Sequence, residues 1–422
     1  MTKIMIWPDL YREEGHWLPT LSLAEQLRTE GYTVEYMGIK DCEEIVAPYG
    51  YTFHPIFEDI YPLGYSFEND LEPRSLRWKP HHVLPLAQGA LDDIFLNGDT
   101  PNYYLISGNL NALETLILHR KYSIEFSTIT IYFRHPDFDP ATLAKSKLVW
   151  MPKRKVQNII GLCTKPKEII GTIEDFVAPI DGDINPERPE FIACPKAFDF
   201  EEDPQKHLSN VMYVEPMVSR PTLPSATLNG SPVLEDIAKL KPDRIIFAAA
   251  GSQVEDYLVR ARSMFDNLIQ MMSTRGMEND LLVLAVGPRL YKEYEKEFSD
   301  NPHDNILIYA WVSQLDVLPQ ASVVFTHGGL GTIKECIWHQ KPMVIIPHGK
   351  DQMDNALRIK EAGVGLTADV ALISPQKLRK LMTDAISSNW IKKRLQKMQE
   401  IFYEHEVRKP QVVKKIKEIV PV

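Results

Sequence analysis

Residues 323–335 read V-V-F-T-H-G-G-L-G-T-I-K-E. Val323–Thr326 has the pattern of a short buried strand. His327, Gly328, Gly329 and Gly331 follow it, and a helical pattern then runs through Thr332 and Glu335 to His339. Glycines at a strand-to-helix junction remove the Cβ atoms that would keep a ligand off the backbone. The unpaired N–H groups of the helix start, reinforced by its dipole, favour an anion such as a diphosphate. Thr332 adds a hydroxyl and His327 a further donor. Glu335 lies three residues after Thr332 on about the same helix face, where a carboxylate can accept from two ribose hydroxyls.

Reading outward, Met343–Ile346 is a strand, and Asp351-Gln352 stand beyond its end. Side by side they offer several acceptors and two donors, which suits sugar hydroxyls. Upstream, Ile306–Tyr309 is a strand followed by Trp311, Val312 and Gln314, with the indole placed to stack on a base. Arg244–Ala249 and Leu281–Val286 complete the strands of this half, and Gly251-Ser252 follow the first.

The N-terminal half has the same rhythm. Strand patterns occur at Lys3–Trp7, Thr33–Met37, Tyr51–Ile56, Tyr103–Ser107 and Ser127–Phe133, with helices at Trp17–Glu30 and Asn109–Lys121. Alternating strands and helices predict α/β domains with parallel sheets. Residues 57–82 and 134–190 lose the period and read as binding loops or solvated insertions. Pro216, Pro221, Pro224, Pro232 and Pro242 mark an interdomain stretch. The expected layout is a first α/β domain at 1–215, a linker at 216–240, a second α/β domain at 241–395, and a C-terminal helix at 396–422. Ligands of doubly wound sheets sit beyond the strand ends, so a cleft between the two domains is the expected site.

Composition sets the limits. Four separated cysteines in 422 residues form no C-x-x-C pair, which argues against a zinc site or a disulfide framework and for a reducing compartment. A net charge of −10 argues against nucleic acid as partner. The opening residues do not have the form of a signal peptide, and no apolar run approaches the ~20 residues that span a bilayer. The expected location is cytoplasmic. The adjacent His81 and His82 have no further ligand at a usual metal spacing, so no metal is expected.

The segment Trp311–Asn355 resembles the nucleotide-sugar signature of family 1 glycosyltransferases of GT-B fold, the UDP-glycosyltransferase superfamily. Glu335 stands eight residues after His327, and Asp351-Gln352 begin 24 after it, matching the family's spacing. The resemblance implies that His327, Gly329, Gly331 and Thr332 contact the diphosphate. It also implies that Glu335 holds the ribose, Asp351 and Gln352 hold the sugar, and Trp311 stacks on the base beside Val312 and Gln314. Ser313 replaces the family's Pro in that last element. Ile245–Ser252 is similar to the first C-terminal strand with its phosphate loop, Gly251 and Ser252. Residues 15–20, G-H-W-L-P-T, are similar to the acceptor domain's G-H-x-x-P element, and Tyr213–Pro216 to the turn that closes that domain. The pattern G-G-L-G-T-I-K-E-C-I is similar to macrolide- and carotenoid-glycosylating members.

The resemblance implies a metal-independent, inverting transfer without a cofactor, with His16 as general base. An imidazole with a reference pKa near 6.5 is largely neutral at pH 7. The acceptor would be a small apolar molecule and the donor a UDP- or dTDP-sugar, with glucose favoured. The family orients this His with an Asp at the end of a later strand. Here Ser107 occupies that position and no Asp stands near it. Another acid reaches His16, or the base is weaker, or the acceptor is more acidic than an alcohol, or the chain is a non-catalytic nucleotide-sugar binder. The basic-apolar tail, Trp390–Val422, reads as a terminal helix with a solvated basic face, or as a membrane contact for a sterol or carotenoid acceptor.

Overall fold

The structure, a computed structural model, describes residues 2–68, 81–96, 103–133, 139–165, 168–181, 185, 187–200, 210–219, 232–298 and 304–420. The chain divides into two compact units. One is Met1–Leu223 with Lys409–Val422, the other Pro224–Arg408.

Among the described residues, the first unit holds a seven-stranded parallel sheet. Its strands are β1 (Lys3–Trp7), β2 (Val34–Gly38), β3 (Thr52–Pro55), β4 (Tyr103–Gly108), β5 (Glu125–Thr130), β6 (Glu190–Ile192) and β7 (Val211–Tyr213). Their order is β3-β2-β1-β4-β5-β6-β7. The second unit holds β8 (Arg244–Ala249), β9 (Asp280–Ala285), β10 (Ile306–Tyr309), β11 (Val323–Thr326), β12 (Met343–Ile345) and β13 (Gly365–Thr367), in the order β10-β9-β8-β11-β12-β13. Central strands such as Ile4–Trp7 and Val323–Thr326 are buried at every residue, as expected where helices cover both faces of a parallel sheet. In both sheets the strand order reverses beside the first strand, between β1 and β4 and between β8 and β11. Each reversal leaves a crevice at the carboxyl ends of the strands.

Several expectations need correction. β6, β7 and β13 have three residues each, too few to show a period. The stretch 134–190 contains helices at Pro140–Val149, Lys153–Cys163 and Ile173–Val177. Their start signals are present: the Asp139 side chain accepts from Thr142 N with Pro140 at the first position, and Thr172 and Asp175 form a capping box. Residues 69–80, 134–138, 166–167, 182–184 and 186 of the expected loops, and 220–231 of the expected linker, lie outside the described residues. The expected linker 216–240 contains a helix, Pro232–Leu240, that buries Val233 and Ile237. Its proline sits in the first turn, where a missing N–H costs nothing.

The expected C-terminal helix is two helices in different units. Asn389–Tyr403 belongs to the second unit and buries Ile391, Leu395, Met398 and Phe402. Gln411–Ile419 belongs to the first, burying Val412, Val413 and Ile416 beside the helix Glu14–Thr29. The fully buried carboxylate of Glu215 accepts from Gln411 N (2.8 Å) and Val412 N (3.3 Å) at the start of this returning helix. At its other end the Tyr32 hydroxyl donates to Val420 O at 2.5 Å. Lys417 pairs with Glu30. Among the described residues no helix is long and apolar enough to cross a membrane.

Candidate active site

In the first unit, His16 is the third residue of the helix Glu14–Thr29, which follows β1. The helix is anchored by Trp17, Leu21, Ala24 and Leu27, all fully buried, so the opposite side of its first turn is free to carry His16 half-exposed. His16 Nδ1 lies 2.6 Å from Asp9 Oδ2. Asp9 is 5% exposed, and its other oxygen accepts from Tyr11 N at 3.1 Å, which fixes the carboxylate in the β1–helix loop. The Tyr132 ring lies 6.4 Å from the imidazole, and Tyr11 meets Tyr61 edge-on at 5.8 Å.

Ser107, expected beside His16, is engaged elsewhere. Its hydroxyl accepts from Thr115 at 2.7 Å and reaches toward the Gly108 carbonyl. The carboxylate that meets His16 comes instead from the loop after β1. β1 and β4 are adjacent, with Trp7 opposite Ser107, so either strand end delivers a side chain to the same crevice. The sequence carried this signal as Pro8-Asp9 directly after the first strand, seven residues before His16. The family's pattern places this acid at the end of β4, so the resemblance does not single out Asp9. His82 also has a structural partner set. It is buried, with Tyr61 at 2.7 Å on one nitrogen and Glu114 at 2.8 Å on the other. Burial alone would raise the Glu114 carboxyl, but Lys147 and His82 hold it down at about 2.

In the second unit, the helix Leu330–Trp338 starts directly behind β11. The His327 ring is wedged between two glycines. A Cβ on Gly251 would lie 2.4 Å from it, and one on Gly329 2.7 Å. Gly251 also has a φ of +77°, so both backbone shape and space call for glycine there. Burial pushes the His327 pKa down to about 4, and the Lys350 charge adds to this. The ring is therefore neutral at pH 7 and offers an N–H dipole without a formal charge. Gly331 faces open space: a Cβ there would meet nothing within 4 Å.

Thr332 and Glu335 are buried on this helix, and Thr332 donates to Gln314 Oε1 at 3.2 Å, joining the β10 and β11 ends. Val312 is buried, whereas Trp311 is 68% exposed and is no part of the core. Asp351 precedes the helix Gln352–Ala362 without capping it by its side chain, and accepts instead from Asn355 Nδ2 at 2.9 Å. Gln352 Oε1 is committed to backbone, accepting from His348 N (2.8 Å) and Gly349 N (3.0 Å), which leaves its amide N–H₂ as the donor. The structure thus brings together Gly251, His327, Gly329, Gly331, Thr332 and Gln314 around one strand-end crevice, with Ser252 next along the β8 loop.

Residues 245–413 match the model of the glycosyltransferase family 28 C-terminal domain. The whole chain follows the fold of the calicheamicin glycosyltransferase CalG4, with a TM-score of 0.66 over 100% of both chains at 16% identity. The chain has the GT-B fold, and the glycosyltransferase likeness in its sequence lies in the second half. It is 30% identical over 194 residues to UDP-glucuronosyltransferase 3A1 of Xenopus laevis, covering 44% of this chain and 33% of that protein. It is 27% identical over 168 residues to the uncharacterized UDP-glucosyltransferase YdhE of Bacillus subtilis, covering 40% of each. The matched stretch therefore spans well under half the length of these relatives.

Proposed function

We propose that this chain transfers a hexose, glucose by preference, from a UDP-sugar to a hydroxyl of a small apolar acceptor, with inversion and without a metal. The observation that carries the reading is the 2.6 Å Asp9–His16 pair at a strand-order reversal. A buried carboxylate fixing one imidazole nitrogen orients the other as a base and stabilises the imidazolium that forms. It also disfavours the non-catalytic alternative, which rested on the lack of an acid near His16.

In this mechanism His16 Nε2 takes the acceptor hydroxyl's proton as its oxygen attacks the anomeric carbon. The bond from that carbon to the diphosphate oxygen breaks, and the nucleoside diphosphate leaves. N–H groups at Gly331–Thr332 and the neutral His327 hold the departing charge. Glu335 binds the ribose, Trp311 the base, and Asp351 with the Gln352 amide the sugar. The tyrosines near the dyad suit an apolar acceptor. A ribose-binding carboxylate and the UDP-sugar enzymes among the relatives favour UDP over dTDP.

The test is thermal unfolding with UDP, dTDP, GDP, ADP and their glucose conjugates, without magnesium. At 100-fold its Kd a ligand stabilises by about 2.7 kcal/mol. A shift with UDP that disappears in Glu335→Ala is the expected result; no shift with any nucleotide removes the donor site. In the same assay Gly331→Ala should leave the ligand-free Tm unchanged or slightly higher, since alanine is favoured over glycine in a helix by roughly 0.5–1 kcal/mol. It should nonetheless reduce the UDP shift, because the new methyl occupies the space through which a phosphate reaches the backbone.

A further inference from the structure

The donor reading leaves a charge unaccounted for. A nucleoside diphosphate carries at least two negative charges, and the side chains assigned to it, His327 and Thr332, are both uncharged. His348, a further imidazole near His327 (ring centroids 6.3 Å apart), is buried and pushed down to about 3, so it too is neutral. Helix dipoles supply only partial charge.

Lys350 stands in the loop between β12 and the helix Gln352–Ala362. Its backbone is left-handed, with a φ of +53°, although it is not glycine. The loop is fixed in this shape: Gln352 Oε1 holds the N–H groups of His348 and Gly349, and Gly349 lies so close to Tyr257 that a Cβ would sit 2.6 Å from the ring. Arg260 donates to the His348 carbonyl from another side. Held this way, the Lys350 ammonium bonds Gln253 Oε1 and lies 3.5 Å from Asp256, both beyond the end of β8. In the sheet, β11 lies between β8 and β12. Lys350 therefore reaches from one neighbour of β11 to the other, across the strand end that carries His327 and the glycines.

We propose that Lys350 is the counter-charge for the donor's diphosphate, exchanging its Asp256 and Gln253 partners for phosphate oxygens when the nucleotide binds. This rests on the donor site proposed above. A strained backbone residue held by its surroundings is a common way of aiming a functional side chain. An ammonium already poised between two loops needs only to change partners. The aspartate holds it in place until the ligand arrives.

The experiment compares UDP and uridine binding by calorimetry, without magnesium, in wild type, Lys350→Met, Lys350→Arg and Asp256→Asn. Methionine keeps the apolar stem and removes the charge. Lys350→Met should weaken UDP by about 10- to 100-fold, the range for a hydrogen bond to a charged group, and leave uridine unchanged. Lys350→Arg should restore most of the affinity. Asp256→Asn, which removes the competing carboxylate, should bind UDP as tightly as wild type or tighter. Wild-type UDP affinity in Lys350→Met overturns the proposal. So does an equal loss for uridine, which would mean that the loop is merely a structural brace, and so does weakened UDP binding in Asp256→Asn. If wild type binds neither UDP nor uridine, the donor site itself fails, and that outcome is distinct from all of these.

Discussion

Replacing His16 with alanine should lower kcat by about 10²- to 10⁴-fold, the usual contribution of a positioned general base. The thermal shift given by UDP should not change, because His16 lies in the first unit and the residues proposed to hold the donor lie in the second. Turnover retained in His16→Ala would refute the base assignment. Asp9→Asn separates orientation from charge. The amide can still bond Nδ1, but it no longer stabilises the imidazolium. kcat should fall, and the acid limb of the pH–rate profile should move to lower pH. The sign follows from electrostatics: removing a neighbouring anion lowers the histidine pKa, so the ring stays in its neutral, basic form to lower pH. An alanine at Ser107 should move neither limb, because its hydroxyl is bonded to Thr115.

Gly108→Ala should have the largest effect on stability. A Cβ there would lie 1.8 Å from the Pro8 carbonyl oxygen and 2.8 Å from its carbon. The obstacle is backbone, so no side-chain rotation relieves it. Moreover β1 is tied to this edge by its pairing with β4 and by Asn111, which donates to Trp7 O at 3.2 Å. Overpacking of this kind costs about 1–3 kcal/mol and more where the backbone must shift. For a unit of this size that lowers Tm by roughly 2–12 °C. Pro8 can only move by displacing Asp9 next to it, so kcat should fall beyond what the loss of folded protein explains. An unchanged Tm would show that the β1–β4 edge yields more easily than its contacts suggest.

The central strands were legible because burial on both faces writes an uninterrupted apolar run, as at Ile4–Trp7 and Val323–Phe325. Glycine spacing after β11 made the strand-end crevice legible, since a buried ring and a helix start both demand missing side chains there. Short strands such as Gly365–Thr367 left no periodic trace. The helices between 140 and 177 carry local start signals, Asp139-Pro140 and Thr172/Asp175, but their irregular flanks mask the helical period. Asp9 and Lys350 were missed for a shared reason. The role proposed for each depends on a strand order that only the folded sheet reveals, with Asp9 beside the end of β4 and Lys350 across that of β11. Gln352 was read as a set of free sugar contacts, yet its oxygen is taken up in shaping the loop that aims Lys350.

The returning helix Gln411–Ile419 imposes an order on biosynthesis. The hydroxyl of Tyr32 waits for a carbonyl made 388 residues later. At about 5–20 residues per second, that interval is roughly 20–80 s on the ribosome. Throughout it, the first unit emerges lacking the helix that covers its Glu14–Thr29 face, while the Glu215 carboxylate has no helix start to bond. The nascent first unit is thus an obligate intermediate with an apolar strip open to chaperones and to other nascent chains. A message truncated before residue 409 would make that transient state permanent.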